Sequence, residues 1–382
     1  MNRPAFRFLL VLLLCTSVAR ADGPPQARKT RGEVLSYLAG LPGLPSKKIL
    51  SGQRIGYIDG SGEDRGTKTF DDISAITGGV LPAIMAFDIA MKDRSRGSYD
   101  LSPVIAHWNA GGLVHAVWHA PNPANGNVWK WPLNSPTLDL RDVYTPGNAT
   151  YDNFRTQLTK VRDAFSALQD HGVVVLFAPF HEANNHNDLP SFWWDGKAAS
   201  VYRALWVYVH DYLTRERNLG NILWVYAATI YYDVAEYYPG DGYVDIVGLD
   251  YHSWNNRFDS PAAVSNYNDL LVYGKPFAVT ELSQCGSETS CGGADARVLL
   301  DDLAAIFPNA VYWYNWDDTK MLRGLGNQTH VKELLADERV VVLSDNPSGA
   351  GRGAAVRETG QRPDPRPPAS EGDAPPREPL QK

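Results

Sequence analysis

Eight short apolar runs, rich in Val, Ile and aromatic residues, punctuate the chain between residues 30 and 345. They are "KKILSGQ" (47–53), "VLPAIMAFD" (80–88), "GGLVHAVWH" (111–119), "VVVLFAPFHE" (173–182), "NILWVYA" (221–227), "VDIVGLDYH" (244–252), "KPFAVTE" (275–281) and "AVYWYNW" (310–316). Their apolarity is continuous rather than alternating, which suits strands covered on both faces. Helical spacing fills the gaps, as in "YDNFRTQLTKVRDAFSALQDHG" and "KAASVYRALWVYVHDYLTRERNLG", each closed by a glycine stop. Eight strands alternating with helices predict an α/β fold, a (β/α)8 TIM barrel. An open doubly wound sheet is the competing arrangement, but no Gly-rich phosphate loop follows any run.

The ends of the chain read differently. Residues 1–21 begin with Arg3 and Arg7, continue through "FLLVLLLC" and finish in "ARA", the pattern of a secretory signal peptide. Residues 346–382 are Pro, Gly, Arg and Glu with little to bury, a composition expected of a disordered tail. A single catalytic domain is therefore expected over 22–345. Outside the leader the cysteines are Cys285 and Cys291, in "CGSETSC". In an oxidising compartment these predict a short disulfide-closed loop, two free thiols being the other reading. The expected location is secreted, extracellular or periplasmic. No other run is long enough for a membrane helix.

The net charge of −7 is spread out, which argues against nucleic acid or an anionic membrane as partner. The 11 Trp and 19 Tyr favour a sugar ligand, whose flat apolar faces stack on aromatic rings that keep a polar edge. A monomer is expected.

In a barrel of this kind the active site lies at the C-terminal strand ends. The residues there are Gln53, Asp88, Trp118, His119, His181, Glu182, Tyr251, His252, Glu281 and Trp313. Glu182 ends the fourth run and Glu281 the seventh, on roughly opposite sides of the barrel mouth. Two carboxylates flanking a sugar are the minimal set for glycosidic cleavage, one donating a proton and one ionised. A structural ion pair is the bland reading of each. His181 would orient a hydroxyl or a carboxylate; "HEANNH" has its histidines five apart, not the four a zinc helix needs, so no metal is expected. The Tyr251 hydroxyl would reach Glu281 and hold it ionised. Trp313 is the best candidate for a sugar platform, with Trp118, Trp193 and Trp194 more often core.

Read together and in order, "ILSGQ", "VWHAPNP", "APFHEANN…FWW", "GLDYH", "VTEL" and "YWYNW" resemble glycoside hydrolase family 26, best known as β-mannanases. The resemblance covers roughly residues 35–340, and "PFHE" is its most specific piece. It implies a retaining endo-acting hydrolase without a cofactor, with Glu182 as acid/base and Glu281 as nucleophile. It also implies supporting roles for His181, Tyr251, His119, Trp313 and Asn184. One departure is "HEANNHNDLPSFWWDG", several residues longer than the family's usual run, which places Ser191 where a tryptophan normally precedes "FWW". The expected function is thus an endo-β-1,4-mannanase acting on polysaccharide. The alternatives are the same chemistry on mixed-linkage β-glucan or β-1,3-xylan, and a carbohydrate-binding barrel without turnover.

Overall fold

The computed structural model describes residues 30–46, 48–55, 67–90, 100–128, 132–186, 191–285, 291–317 and 324–345. The leader at 1–21 and the tail at 346–382 lie outside the described residues. The strands are β1 (Ile49–Leu50), β2 (Gly52–Arg54), β3 (Ile84–Asp88), β4 (Leu113–Trp118), β5 (Val175–Pro179), β6 (Ile222–Thr229), β7 (Ile246–Ser253), β8 (Phe277–Gln284), β9 (Ala310–Asn315) and β10 (Val340–Val341). Strands β2 to β9 follow one another in parallel, and β9 pairs with both β8 and β2. The eight form a closed barrel with intervening helices, as the eight runs predict. The short β1 pairs with β9 and β10 beside it.

The helices cover the barrel for reasons visible in their spacing. The longest, Ala149–Asp170, buries Phe154, Leu158, Val161, Phe165 and Leu168, an i, i+3, i+4 stripe against the sheet. Asn148 caps it by accepting from Tyr151 N at 2.9 Å. The helix Arg31–Gly40 starts in a capping box between Thr30 and Glu33.

Side-chain parity inside the barrel is settled by one cluster. The His115 ring on β4 meets the rings of Tyr312 and Tyr314 on β9, at 5.8 and 4.8 Å between centroids. β4 and β9 are not neighbours in the sheet, so these rings meet across the interior. Strand residues alternate faces. Trp118 on β4 and Trp313 on β9 therefore point out toward the helices.

Cys285 and Cys291 form a disulfide six residues apart. Cys285 follows β8, donates its backbone N–H to Ser253 O and accepts from Asn256 N. The bridge thus braces the loops after β7 and β8. Closing a loop of this length removes denatured-state entropy worth about 2 kcal/mol. The double variant Cys285→Ser/Cys291→Ser is expected to lose about that much stability in denaturant unfolding. An unchanged midpoint would show that the bridge contributes nothing to the fold.

Candidate active site

Among the described residues, the C-terminal mouth of the barrel brings together the carboxylates of Asp88, Glu182, Asp250 and Glu281, the imidazoles of His119, His181 and His252, and Arg54. Glu281 sits on β8 just past an irregularity. Leu249 pairs with Val279, but Asp250 pairs with Glu281, so Thr280 is the extra residue of a bulge. Bulges of this kind re-aim neighbouring side chains. Gly248 makes room for it, since a Cβ there would lie 2.5 Å from Thr280 Cγ2 and 2.9 Å from Ala278 O. Thr280 Oγ1 donates to Asp250 Oδ1 at 2.6 Å and fixes the bulge to β7.

Glu182 comes from the loop after β5. Phe180 and Glu182 both have left-handed backbone, at φ 51° and 56°, which is costly for non-glycine residues and recurs at functional sites. The loop is pinned to β6. Glu182 N donates to Ala227 O at 3.0 Å. Asn184 accepts from Thr229 N and donates to the carbonyls of Thr229 and Tyr232. Asn184 is fully buried and serves to hold the loop.

Glu281 and Asp250 are buried; Glu182 is half-buried. Burial pushes the Glu281 carboxyl well above the usual range, and the nearby charges of Asp250 and Glu182 push it further; Arg54 pulls it back. Burial and Glu182 raise Asp250 in the same sense. The charge of Glu182 thus acts on both buried carboxyls. Donors surround Glu281. Tyr314 Oη donates to Oε1 at 3.5 Å, His181 Nε2 lies 3.8 Å from Oε1, and His252 Nε2 lies 3.9 Å from Oε2. Burial keeps Tyr314 protonated. Burial, reinforced by His119, His252 and Arg54, keeps His181 neutral.

The other side of the mouth is built on Asp88. His119 Nδ1 lies 2.7 Å from Asp88 Oδ2, and Arg54 Nη2 lies 3.6 Å from the same oxygen. Burial alone would raise Asp88, but His119 and Arg54 outweigh it and hold the carboxyl below its usual range. The Arg54 guanidinium stacks 3.9 Å over the Trp316 ring. His119 packs edge-on against His181, and both touch Phe192. Trp194 stacks flat on Phe192 and donates Nε1–H to His181 O at 2.8 Å.

A half-buried acid facing a buried acid ringed by donors is suited to bond cleavage between two carboxylates. Residues 24–343, a span that includes every strand of the barrel, match glycosyl hydrolase family 26. The chain belongs to that family.

Within family 26, a mannan endo-1,4-beta-mannosidase from Caldalkalibacillus mannanilyticus is 30% identical over 81% of this chain. The chain spans only 61% of that protein's length. A mannan endo-1,4-beta-mannosidase from Bacillus subtilis is 29% identical, with 77% of this chain and 81% of that protein covered. The solved structure of a Bacillus subtilis mannanase superposes with a TM-score of 0.70 at 26% identity, covering 83% of this chain and 94% of that one.

The structure brings Glu182, Glu281, His181 and His119 together, as expected of a family 26 chain. Two expectations, for Tyr251 and Trp313, are corrected by parity. Tyr251 does not face Glu281: its hydroxyl accepts from Ser260 N at 2.9 Å and its ring packs on Phe258 and Phe307. Asp250 and His252, one residue to either side, face the acid instead. Trp313 is no platform; it is fully buried and its Nε1–H donates to Asn315 Oδ1. Trp118 is buried among Phe154, Phe177 and Phe180. Trp193 and Trp194 are buried as well, and Trp194 acts by supporting His181. Among the described residues, the large aromatics open to solvent are Tyr231, 56% exposed after β6, and Trp254, 38% exposed after β7. Tyr231 lies close enough to feel the charge of Glu182. Tyr231 stands two residues past the end of β6 and Trp254 one past the end of β7, the signal by which they could have been found.

Ser191, at the departure from the family run, donates its backbone N–H to Asp195 Oδ2 at 2.7 Å, as Phe192 N does at 3.1 Å. Residues 187–190 of that loop lie outside the described residues. His119, His181 and Glu281 present possible metal-ligand atoms within 4.8 Å of one another. Neighbouring ligands on tetrahedral zinc stand about 3.3 Å apart, and the Arg54 charge lies beside this set, so the arrangement suits a metal poorly.

Proposed function

We propose that this chain is a secreted, retaining endo-β-1,4-mannanase that needs no cofactor, with Glu281 as nucleophile and Glu182 as general acid/base. The observation that carries the reading is the pairing of these two acids at strand ends on opposite sides of one barrel mouth, close enough for each to perturb the shared carboxylate set. Their surroundings suggest which acid does what. Burial and the neighbouring acids push the Glu281 carboxyl up. Arg54 opposes that rise, and Tyr314, His181 and His252 stand around the carboxylate where hydrogen bonds made on substrate binding would favour the ionised, attacking form. Glu182 is half-buried, so it can reach a leaving oxygen and later a water. In the first step Glu281 bonds to the anomeric carbon while Glu182 gives its proton to the departing oxygen. In the second, Glu182 takes a proton from water, which displaces Glu281 and restores the anomeric configuration.

The choice of mannan follows the names of the curated relatives, which are mannan endo-1,4-beta-mannosidases. Tyr231 and Trp254, after the neighbouring strands β6 and β7, supply exposed aromatic faces for sugar rings. The disulfide fits an oxidising compartment, and no helix among the described residues is long and apolar enough to cross a membrane. The test is reducing-end release by the mature chain on linear mannan, galactomannan, glucomannan, mixed-linkage glucan and β-1,3-xylan. Release from the mannans with retained β-configuration, followed by NMR from the first minutes, is expected. Release from mixed-linkage glucan or β-1,3-xylan alone would keep the acids and replace the substrate. A first product of α-configuration would overturn the double displacement.

A further inference from the structure

We propose that His252, oriented by Ser283, is a positioning residue that donates a hydrogen bond to Glu281 and holds the attacking carboxylate in place. The inference rests on the reading of Glu281 as nucleophile. His252 and Ser283 are directly paired across β7 and β8, in the same register as Asp250 with Glu281. His252 Nδ1 lies 2.7 Å from Ser283 Oγ, and Ser283 is fully buried. The other ring nitrogen, Nε2, stands 3.9 Å from Glu281 Oε2. His181 stands at nearly the same distance from Oε1, so each carboxylate oxygen has an imidazole facing it.

The tautomer follows from electrostatics. If Nδ1 carried the only proton, the Nε2 lone pair would face a carboxylate oxygen, which is repulsive. If Ser283 Oγ–H donates to Nδ1, the proton sits on Nε2 and points at Glu281. Ser283 thereby selects the tautomer that serves the acid. The His252 side chain keeps about a fifth of its surface exposed, so it borders the cleft rather than the core. Closing 3.9 Å to a hydrogen bond takes a shift of about 1 Å, the kind of tightening expected once a sugar fills the mouth.

The groups facing Glu281 are Asp250 and His252 from β7, Glu182 and His181 from the loop after β5, Arg54 from β2, Asp88 from β3 and Tyr314 from β9. His252 is faced by Glu281 and Ser283 from β8, among others, and its charge is felt by His181. A donor on Glu281 stabilises its ionised form. Its removal leaves the three acids less compensated, so Glu281 holds its proton to higher pH.

The experiment is steady-state kinetics of His252→Ala, His252→Gln, Ser283→Ala and the double variant His252→Ala/Ser283→Ala on mannohexaose, with Glu281→Gln alongside. Expected are a kcat loss of about 100-fold in His252→Ala with KM within about threefold, and an acidic limb of kcat/KM displaced to higher pH. His252→Gln, which keeps an N–H donor, recovers part of the loss. Ser283→Ala costs about tenfold alone and nothing further when His252 is already alanine, since the serine acts only through the imidazole. An acidic limb that stays in place, or a Ser283→Ala loss that persists in the double variant, overturns the inference. So does a folded His252→Ala with wild-type kcat while Glu281→Gln is inactive, which leaves the nucleophile reading intact. An active Glu281→Gln would overturn the nucleophile reading itself, and this inference with it.

Discussion

Glu281→Gln is expected to abolish hydrolysis, by about 10^4-fold or more in kcat, while leaving the barrel folded and oligosaccharide still bound. Glutamine keeps the volume and the contacts to Tyr314 and His181 but cannot form the glycosyl intermediate. Stability should hold or rise. Burial, Asp250 and Glu182 all oppose the charge on Glu281, so a neutral side chain relieves a crowded set of acids, the usual tension between catalytic groups and stability. Hydrolysis on mannohexaose and the thermal midpoint check both halves. Turnover within tenfold of wild type would move the nucleophile elsewhere, with Asp250 next in line. Lost turnover with lost folding would show that the carboxylate is structural.

The second large effect is acid sensitivity traced to His115. Its ring is fully buried between Tyr312 and Tyr314, and neither nitrogen has a hydrogen-bond partner among the described residues. Burial pulls its pKa down to about 3. A histidine depressed in the fold but ordinary when unfolded stabilises the folded state fully above about pH 6.5, and that contribution is lost as pH falls toward 3. Between pH 7.5 and pH 4 the loss is about 3 kcal/mol, a large fraction of an ordinary domain's stability. The buried acids whose pKa is raised act in the opposite sense. Asp195, raised by burial to about 6, costs stability above that pH and returns it on acidification. A raw acid titration therefore mixes both, and a difference between variants isolates the histidine. His115→Leu should match or exceed wild type in urea at pH 7.5, since it removes two unpaired polar atoms from the core. It should gain about 3 kcal/mol on wild type by pH 4. A difference that stays flat with pH would mean that His115 is protonated in the fold or ordinary in its titration.

Much of this molecule is legible in one dimension. All eight apolar runs are barrel strands, because residues buried on both faces of a parallel sheet leave an unbroken apolar signature. The rule that sites gather at C-terminal strand ends gives a set of ten residues that holds Glu182, Glu281, His119 and His181, and the chemistry of paired carboxylates singles out the two glutamates within it. The cysteines close their loop because they stand only six residues apart.

What was not legible is which of two adjacent side chains faces the mouth. Tyr251 and His252 are both strand-end residues in "GLDYH", as are Trp313 and Tyr314 in "YWYNW". With both sheet faces apolar, the period-two alternation that separates inside from outside is erased, and composition favours the larger aromatic. The answer is set by the cross-barrel packing of His115 on Tyr312 and Tyr314, and by the Thr280 bulge that shifts β8 against β7. Strand identity, barrel closure and the two glutamates are thus properties of the sequence, because they depend on local burial and on position along the chain. The imidazoles and the tyrosine hydroxyl around Glu281, and the aromatic faces left for sugar, are properties of the tertiary structure, because a one-residue change of parity turns every side chain of a strand to the other face.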